Sequence, residues 1–191
     1  MTRQSIIAYW LIPAEPAHSF FHTIIGDLAR RYDAPVFEPH VTVHAGADRV
    51  DLTHQALAEF TRECTLVKLK PLGIDQSDEF VKTLFVQFAL TPELRKVNES
   101  IRHAANQPSE YELEPHLSLL YKNLPAVTRR ELATSIKVPL SEVTFDAIKA
   151  VRCVSPTQTR ADVEAWHMAA ATLLPSFRAE RSEVEESRGA T

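Results

Sequence analysis

Two short stretches of this chain offer the same chemistry. Residues 38–43 read Glu38-Pro39-His40-Val41-Thr42-Val43, and residues 114–119 read Glu114-Pro115-His116-Leu117-Ser118-Leu119. Both fit the pattern E-P-H-[VL]-[ST]-[VL], an internal repeat of a histidine followed two positions later by a hydroxyl. The alternation of apolar and polar residues predicts strands. In a strand, residues i and i+2 face the same side, roughly 6.6–6.8 Å apart. His40 and Thr42 therefore share one face while Val41 and Val43 enter the core, and His116 and Ser118 do the same. Two such strands facing each other surround one small cavity with two imidazoles and two hydroxyls. Imidazoles, with a pKa of about 6.5, serve as acid and base at neutral pH. Hydroxyls donate hydrogen bonds to phosphate oxygens. The set suits in-line hydrolysis of a phosphodiester without a metal. One imidazole takes a proton from water, and the other protonates the departing oxygen.

The elements that must hold these groups can be read along the chain. Ser5 to Ile12 is rich in β-branched and aromatic residues and ends at Pro13, which predicts a buried strand. Phe20, Phe21, Ile24, Ile25, Leu28 and Tyr32 recur at helical spacing, so a helix is expected from about Pro16 to Tyr32. Asp51 can cap a helix that buries Leu52, Leu57 and Phe60. Leu66–Ile74 and Phe80–Leu90 read as extended, with the polar run Asp75–Asp78 as a hairpin turn. Thr91-Pro92 opens another helix, with Leu94, Val97 and Ile101 on its apolar face. After the strand at His116–Leu120, Val127–Ile136 looks helical and Val143–Val154 extended. Val163–Leu174 is ambiguous: its alanines favour a helix, while Trp166 and its short length allow a strand. This order mixes helices with mostly antiparallel strands, an α+β pattern. Residues 178–191 are charged and nearly free of large apolar side chains, and a disordered tail is expected after a domain at 1–177.

Composition narrows the chemistry. The chain has 191 residues, 45% hydrophobic and 24% charged, ordinary for a globular protein. Its 21 Lys and Arg against 25 Asp and Glu give a net charge of −4. That balance argues against binding long nucleic acid, which needs many cationic phosphate contacts, but not against a small phosphorylated ligand in a local pocket. No apolar run approaches the roughly 18 residues of a membrane span. Arg3 and Gln4 lead straight into a strand-like run rather than a leader, so a cytoplasmic, monomeric protein is expected. Cys64 and Cys153 are far apart, with no metal-ligand or redox spacing, and read as two buried free thiols.

Other readings of the same histidines are less well supported. His40 and His44 lie four apart on one strand face, yet no acidic or cysteine ligand stands at an evident spacing, so no metal is expected. Core packing of both motif histidines leaves their repeated hydroxyl partners unexplained. His18, His22, His54, His103 and His167 have no partner motif and read as surface residues. His44 reads as a rim residue, Tyr121 allows a packing role at a strand end, and Trp10 sits in a wholly apolar strand where core burial is an open alternative.

Paired His-x-(Thr/Ser) strands are the hallmark of the 2H phosphoesterase superfamily, and the chain resembles its cyclic phosphodiesterases, which open 2′,3′-cyclic phosphates and ADP-ribose 1″,2″-cyclic phosphate. The resemblance is carried by residues 9–13, 37–43, 91–93 and 115–121 and by the segment around Cys153 and Trp166, and it spans about residues 5–172. It implies a bilobal, duplicated α+β fold with the site in a cleft between lobes. It implies that His40 and His116 are the catalytic pair, with Thr42 and Ser118 holding the phosphoryl oxygens. Tyr121 matches a phosphate-contacting tyrosine and Trp10 an aromatic beside the nucleotide. It further implies no cofactor, a 2′-phosphomonoester product, water activation by His116 and protonation of ribose O3′ by His40. Glu38 and Glu114 match no known family role. An enzyme acting on RNA ends, as a cyclic phosphodiesterase or a 2′–5′ ligase-like protein, is the alternative within the superfamily, and a non-catalytic nucleotide-binding module is the rival outside it.

Overall fold

A computed structural model describes residues 3–105 and 111–175. The expected tail therefore lies outside the described residues. The strands are β1 (Gln4–Pro13), β2 (Val41–Ala47), β3 (Val67–Leu69), β4 (Pro71–Gln76), β5 (Leu84–Phe88), β6 (His116–Leu120), β7 (Val143–Ser155) and β8 (His167–Leu173). The helices are α1 (Ala17–Tyr32), α2 (Val50–Glu63), α3 (Pro92–Ala104), α4 (Ala126–Ser135) and the short α5 (Arg160–Glu164). The strands form one antiparallel sheet in the order β3-β7-β1-β2-β6-β5-β4, with β8 also paired to β7. This is the α+β, antiparallel architecture that the sequence predicts. Its two halves, each holding one copy of the repeat, join where β2 pairs with β6. Among the described residues, no helix is long and apolar enough to cross a membrane.

One face of the sheet carries the main core. Ile7, Tyr9 and Leu11 of β1 and Val41 and Val43 of β2 pack there with Phe21 and Ile25 of α1, Leu57 and Phe60 of α2 and Leu94 and Ile101 of α3. Alternation sends Ala8, Trp10 and Ile12 to the other face, where they form a small cluster with Val151. Thr91 caps α3 as expected, accepting the Leu94 amide at 3.1 Å with Pro92 in the first turn. Asp51 does not cap α2: the helix begins at Val50, and Asp51 pairs with Arg49 at 3.0 Å instead. Leu57 and Phe60 are buried as expected, while Leu52 is half-buried. The stretch from Phe80 is not all extended, because Phe80–Lys82 form a 3₁₀ turn before β5. The ambiguous segment ends as strand β8, preceded by α5, whose Thr159–Asp162 capping box fixes its start.

Candidate functional site

The pairing of β2 with β6 fixes the site. Val41 lies opposite Leu117 in an antiparallel ladder. Carrying that register one residue each way sets Thr42 beside His116 and His40 beside Ser118. Each histidine thus neighbours the other strand's hydroxyl, and the two motifs are related by a local twofold through the Val41–Leu117 pair. His40, Thr42, His116, Ser118, Tyr121 and Trp10 all line one cavity of about 350 Å³ on the sheet face opposite the main core.

The Glu-Pro half of each motif has a backbone role that its side chains do not advertise. Proline holds the preceding residue in an extended conformation. Its carbonyl then meets the imidazole two positions on. His40 Nδ1 lies 2.7 Å from the Glu38 carbonyl, and His116 Nδ1 lies 2.7 Å from the Glu114 carbonyl. A carbonyl only accepts, so Nδ1 carries the proton in both rings and Nε2 is the nitrogen left for chemistry. The glutamate side chains repeat the symmetry: Glu38 pairs with Lys149 at 2.5 Å, and Glu114 with Lys82 at 2.6 Å. Each ring also rests on an aromatic. His40 stacks on Trp10 with centroids 3.8 Å apart, and His116 meets Phe85 at a steep angle with centroids 5.5 Å apart.

The two imidazoles differ in environment. His40 is only 7% exposed and is enclosed by Trp10, Trp166 and Phe37. Burial pushes its pKa down to about 4, and the nearby His116 pushes the same way against the Glu38 hydrogen bond. His116 is half-buried. Burial lowers it too, and Lys82 adds to that, but the Glu114 hydrogen bond and the charges of Glu114 and Glu79 oppose the shift. The hydroxyls also differ. Ser118 Oγ donates to the Val81 carbonyl at 2.7 Å, while Thr42 makes no side-chain hydrogen bond among the described residues. Tyr121 is 4% exposed and stacks on Phe37 at 3.9 Å; burial raises its phenol, opposed by the Ser118 hydroxyl.

His44 is not a rim residue, and it does not share a face with His40. Trp10 pairs with Thr42 but Tyr9 with His44, so Val43 is an extra residue in β2, a bulge. The bulge turns His44 toward the helices, where it is 1% exposed between Tyr9 and Tyr111. Asn98 of α3 holds the bulge by donating to the Val43 carbonyl at 2.6 Å. Cys64 and Cys153 form no disulfide and are each half-buried rather than buried, and Cys153 lines the cavity. His22, His54, His103 and His167 are exposed, whereas His18 is half-buried near Glu15 and Glu38. Sequence reasoning gave no place to Tyr111, whose hydroxyl donates to the Thr42 carbonyl at 2.9 Å, or to Phe85. With Leu84 and Val86 in the main core, the period of two in a strand sends Phe85 to the opposite face, and that is the signal available for it.

The chain is similar to known proteins along most of its length. The family model described as "Cyclic phosphodiesterase-like protein" matches residues 6–174. A cyclic phosphodiesterase from Arabidopsis thaliana is 24% identical over 174 residues, covering 88% of this chain and 94% of that protein. The apo structure of E. coli LigT superposes with a TM-score of 0.57 at 14% identity, covering 91% of this chain and 99% of LigT. TT0787 of Thermus thermophilus gives 0.56 at 14% identity, with 88% and 97% covered. The chain belongs to the cyclic phosphodiesterase-like family of the 2H phosphoesterase superfamily, and it is a cyclic phosphodiesterase.

Proposed function

We propose that this enzyme hydrolyses the 2′,3′-cyclic phosphates of nucleotides, or the 1″,2″-cyclic phosphate of ADP-ribose, without a metal and with His40 and His116 as the acid–base pair. For a nucleotide the product is the 2′-phosphomonoester. The carrying observation is the matched pair of Nδ1–carbonyl bonds, which commits both Nε2 atoms to one cavity. One imidazole removes a proton from water as its oxygen attacks phosphorus. The P–O3′ bond breaks, and the second imidazole gives its Nε2 proton to O3′. Thr42, Ser118 and Tyr121 hold the phosphoryl oxygens, and Trp10 backs the ring of His40.

The burial difference supports a division of labour opposite to the one the resemblance implies. A single proton shared by the pair rests on the less desolvated ring. His40, neutral and enclosed, is then the base that activates water. His116, half-buried and flanked by Glu114 and Glu79, carries the proton to O3′. Turnover of adenosine 2′,3′-cyclic phosphate tests the whole reading. General acid–base catalysis by one group contributes about 10²–10⁴-fold, so His40→Ala and His116→Ala should each lose at least that much kcat while staying folded. Activity should survive a chelator. Retention of a tenth of wild-type kcat by either variant sinks the paired mechanism, and loss in EDTA restored by Mg²⁺ or Zn²⁺ sinks the metal-free one.

A further inference from the structure

The glutamate of each motif has a carbonyl with a task and a carboxylate without one. Both Glu-Pro stretches precede their strands, so the carbonyls that accept the two Nδ1 protons lie outside the ladders. Proline restricts each glutamate from its C-terminal side. The second handle on each carbonyl is the glutamate's own side chain, fastened to Lys149 at 2.5 Å for Glu38 and to Lys82 at 2.6 Å for Glu114. These lysine side chains are only 23% and 18% exposed, unlike the solvated lysines whose ion pairs contribute little. Among the described residues, neither glutamate nor either lysine lines the cavity.

The internal repeat does not account for the matched lysines. Lys82 sits in the 3₁₀ turn before β5, the strand beside β6. Lys149 sits within β7, two strands away from β2. The local twofold that relates the motifs does not relate these two places, yet each supplies a lysine to the same motif position. Each lysine also adjoins the ring that supports its histidine. Lys149 lies opposite Trp10 in the β7–β1 register, and Lys82 Nζ lies 5.2 Å from the centre of the Phe85 ring. His18 Nε2 stands 3.8 Å from Glu38, too far for a hydrogen bond and no substitute for Lys149.

We propose that Glu38 with Lys149 and Glu114 with Lys82 are positioning pairs, which hold the two glutamate carbonyls against Nδ1 and so fix the tautomer and the aim of both Nε2 atoms. A carbonyl that turns away releases Nδ1, and the ring then carries its proton on either nitrogen. The effect on rate rests on the functional reading above; the effect on the tautomers does not.

Lys82→Met and Lys149→Met remove one tether each and keep an unbranched stem. Nitrogen NMR of the histidines at pH 7, assigned with His40→Ala and His116→Ala, should show a single Nδ1–H tautomer for both rings in the wild type. Each methionine variant should show a mixture at its untethered ring. On adenosine 2′,3′-cyclic phosphate each should lose about 10–100-fold in kcat with KM within about threefold, because a misaimed group costs the transition state rather than the ground state. Glu38→Gln and Glu114→Gln weaken the same tethers without a change of shape and should follow in both readouts to a smaller extent. The exchanged pairs, Glu38→Lys with Lys149→Glu and Glu114→Lys with Lys82→Glu, restore a tether and should bring kcat to within about fivefold of wild type. Thermal unfolding checks that each variant folds. Wild-type tautomers and kcat in the methionine variants would overturn the positioning role. A loss carried by KM would make the lysines substrate contacts and overturn it too, as would folded exchanged pairs no better than the single variants. Failure of the wild type to turn over the cyclic phosphate would overturn the functional reading, and the tautomers would still decide the tethers.

Discussion

At the residue scale, His40 and His116 line one cavity in unlike surroundings, His40 at 7% exposure and His116 half-buried. The types and spacing of His40, Thr42, His116 and Ser118 were enough to anticipate a shared cavity. Which imidazole holds a proton depends on burial by Trp166 and Phe37 and on Glu79, all outside the two motifs. Both histidines are lowered from 6.5, so the free enzyme should show a kcat/KM optimum below pH 6.5. Activity falls on the acid side as the base is protonated and on the alkaline side as the acid is lost. The bound phosphate anion stabilises imidazolium, so the limbs of kcat should lie higher than those of kcat/KM. An optimum of kcat/KM well above 6.5 would contradict the burial argument. An activated aryl phosphodiester, whose leaving group needs no proton, should rescue His116→Ala far more than His40→Ala; preferential rescue of His40→Ala would restore the opposite assignment. The hydroxyls differ as well. Thr42 is free to donate, whereas Ser118 must first release Val81. Thr42→Ala should therefore cost more kcat/KM than Ser118→Ala, by up to the roughly 1.5–3 kcal/mol of a hydrogen bond to a charged group. A larger loss for Ser118→Ala would show that exchanging the Val81 bond for a phosphoryl oxygen costs Ser118 little.

At the element scale, the strands and most helices follow from periodicity, while the irregularities that aim the side chains do not. Nothing in Val41-Thr42-Val43-His44 announces a bulge, because strict alternation places His44 with His40. The bulge is settled by the β1 register and by Asn98, which comes from α3, far along the chain. The same holds for the 3₁₀ turn at Phe80–Lys82, which brings the Val81 carbonyl to Ser118 and Lys82 to Glu114. Thr83 ties that turn to the segment just after β6, donating to the Lys122 carbonyl at 2.9 Å. The bulge offers the sharper test. Asn98→Leu removes the donor to the Val43 carbonyl and should destabilise the fold by about 1–3 kcal/mol. Thr42 adjoins the bulge, so kcat/KM should also fall although Asn98 does not line the cavity. Denaturant unfolding and turnover of the same variant check both effects. An unchanged midpoint with unchanged turnover would mean that strand pairing alone holds the bulge.

At the scale of the whole molecule, the buried imidazoles tie stability to pH. His44 is enclosed between Tyr9 and Tyr111, neither ring nitrogen has a hydrogen-bond partner among the described residues, and its pKa is pushed down to about 4 by burial and then by the charge of Arg102. His40 is lowered as far, and His116 in the same direction. A histidine whose folded pKa is depressed stays neutral in the fold while the unfolded chain takes up a proton. Above pH 6.5 neither state is protonated at these sites, and their contribution is constant. As pH falls from 6.5 toward 4, the unfolded state gains protons that the folded state refuses, and stability drops by about 1.4 kcal/mol per pH unit for each such group. For His40 and His44 the loss across that window is on the order of 3 kcal/mol each. The enzyme should thus lose stability in the same acid range where its histidines titrate for catalysis. His44→Phe separates the two effects, because it removes a titrating group that faces the helices rather than the cavity. It keeps a planar ring and deletes two buried nitrogens without partners, so stability at pH 7 should be equal or higher. Urea unfolding at a series of pH values should then show a shallower fall between 6.5 and 4, by one proton's worth of slope. Turnover at pH 7 should be retained. Parallel pH curves for wild type and His44→Phe would mean that His44 takes up its proton in the folded state, and the sealed pocket between Tyr9 and Tyr111 would have to open to admit it.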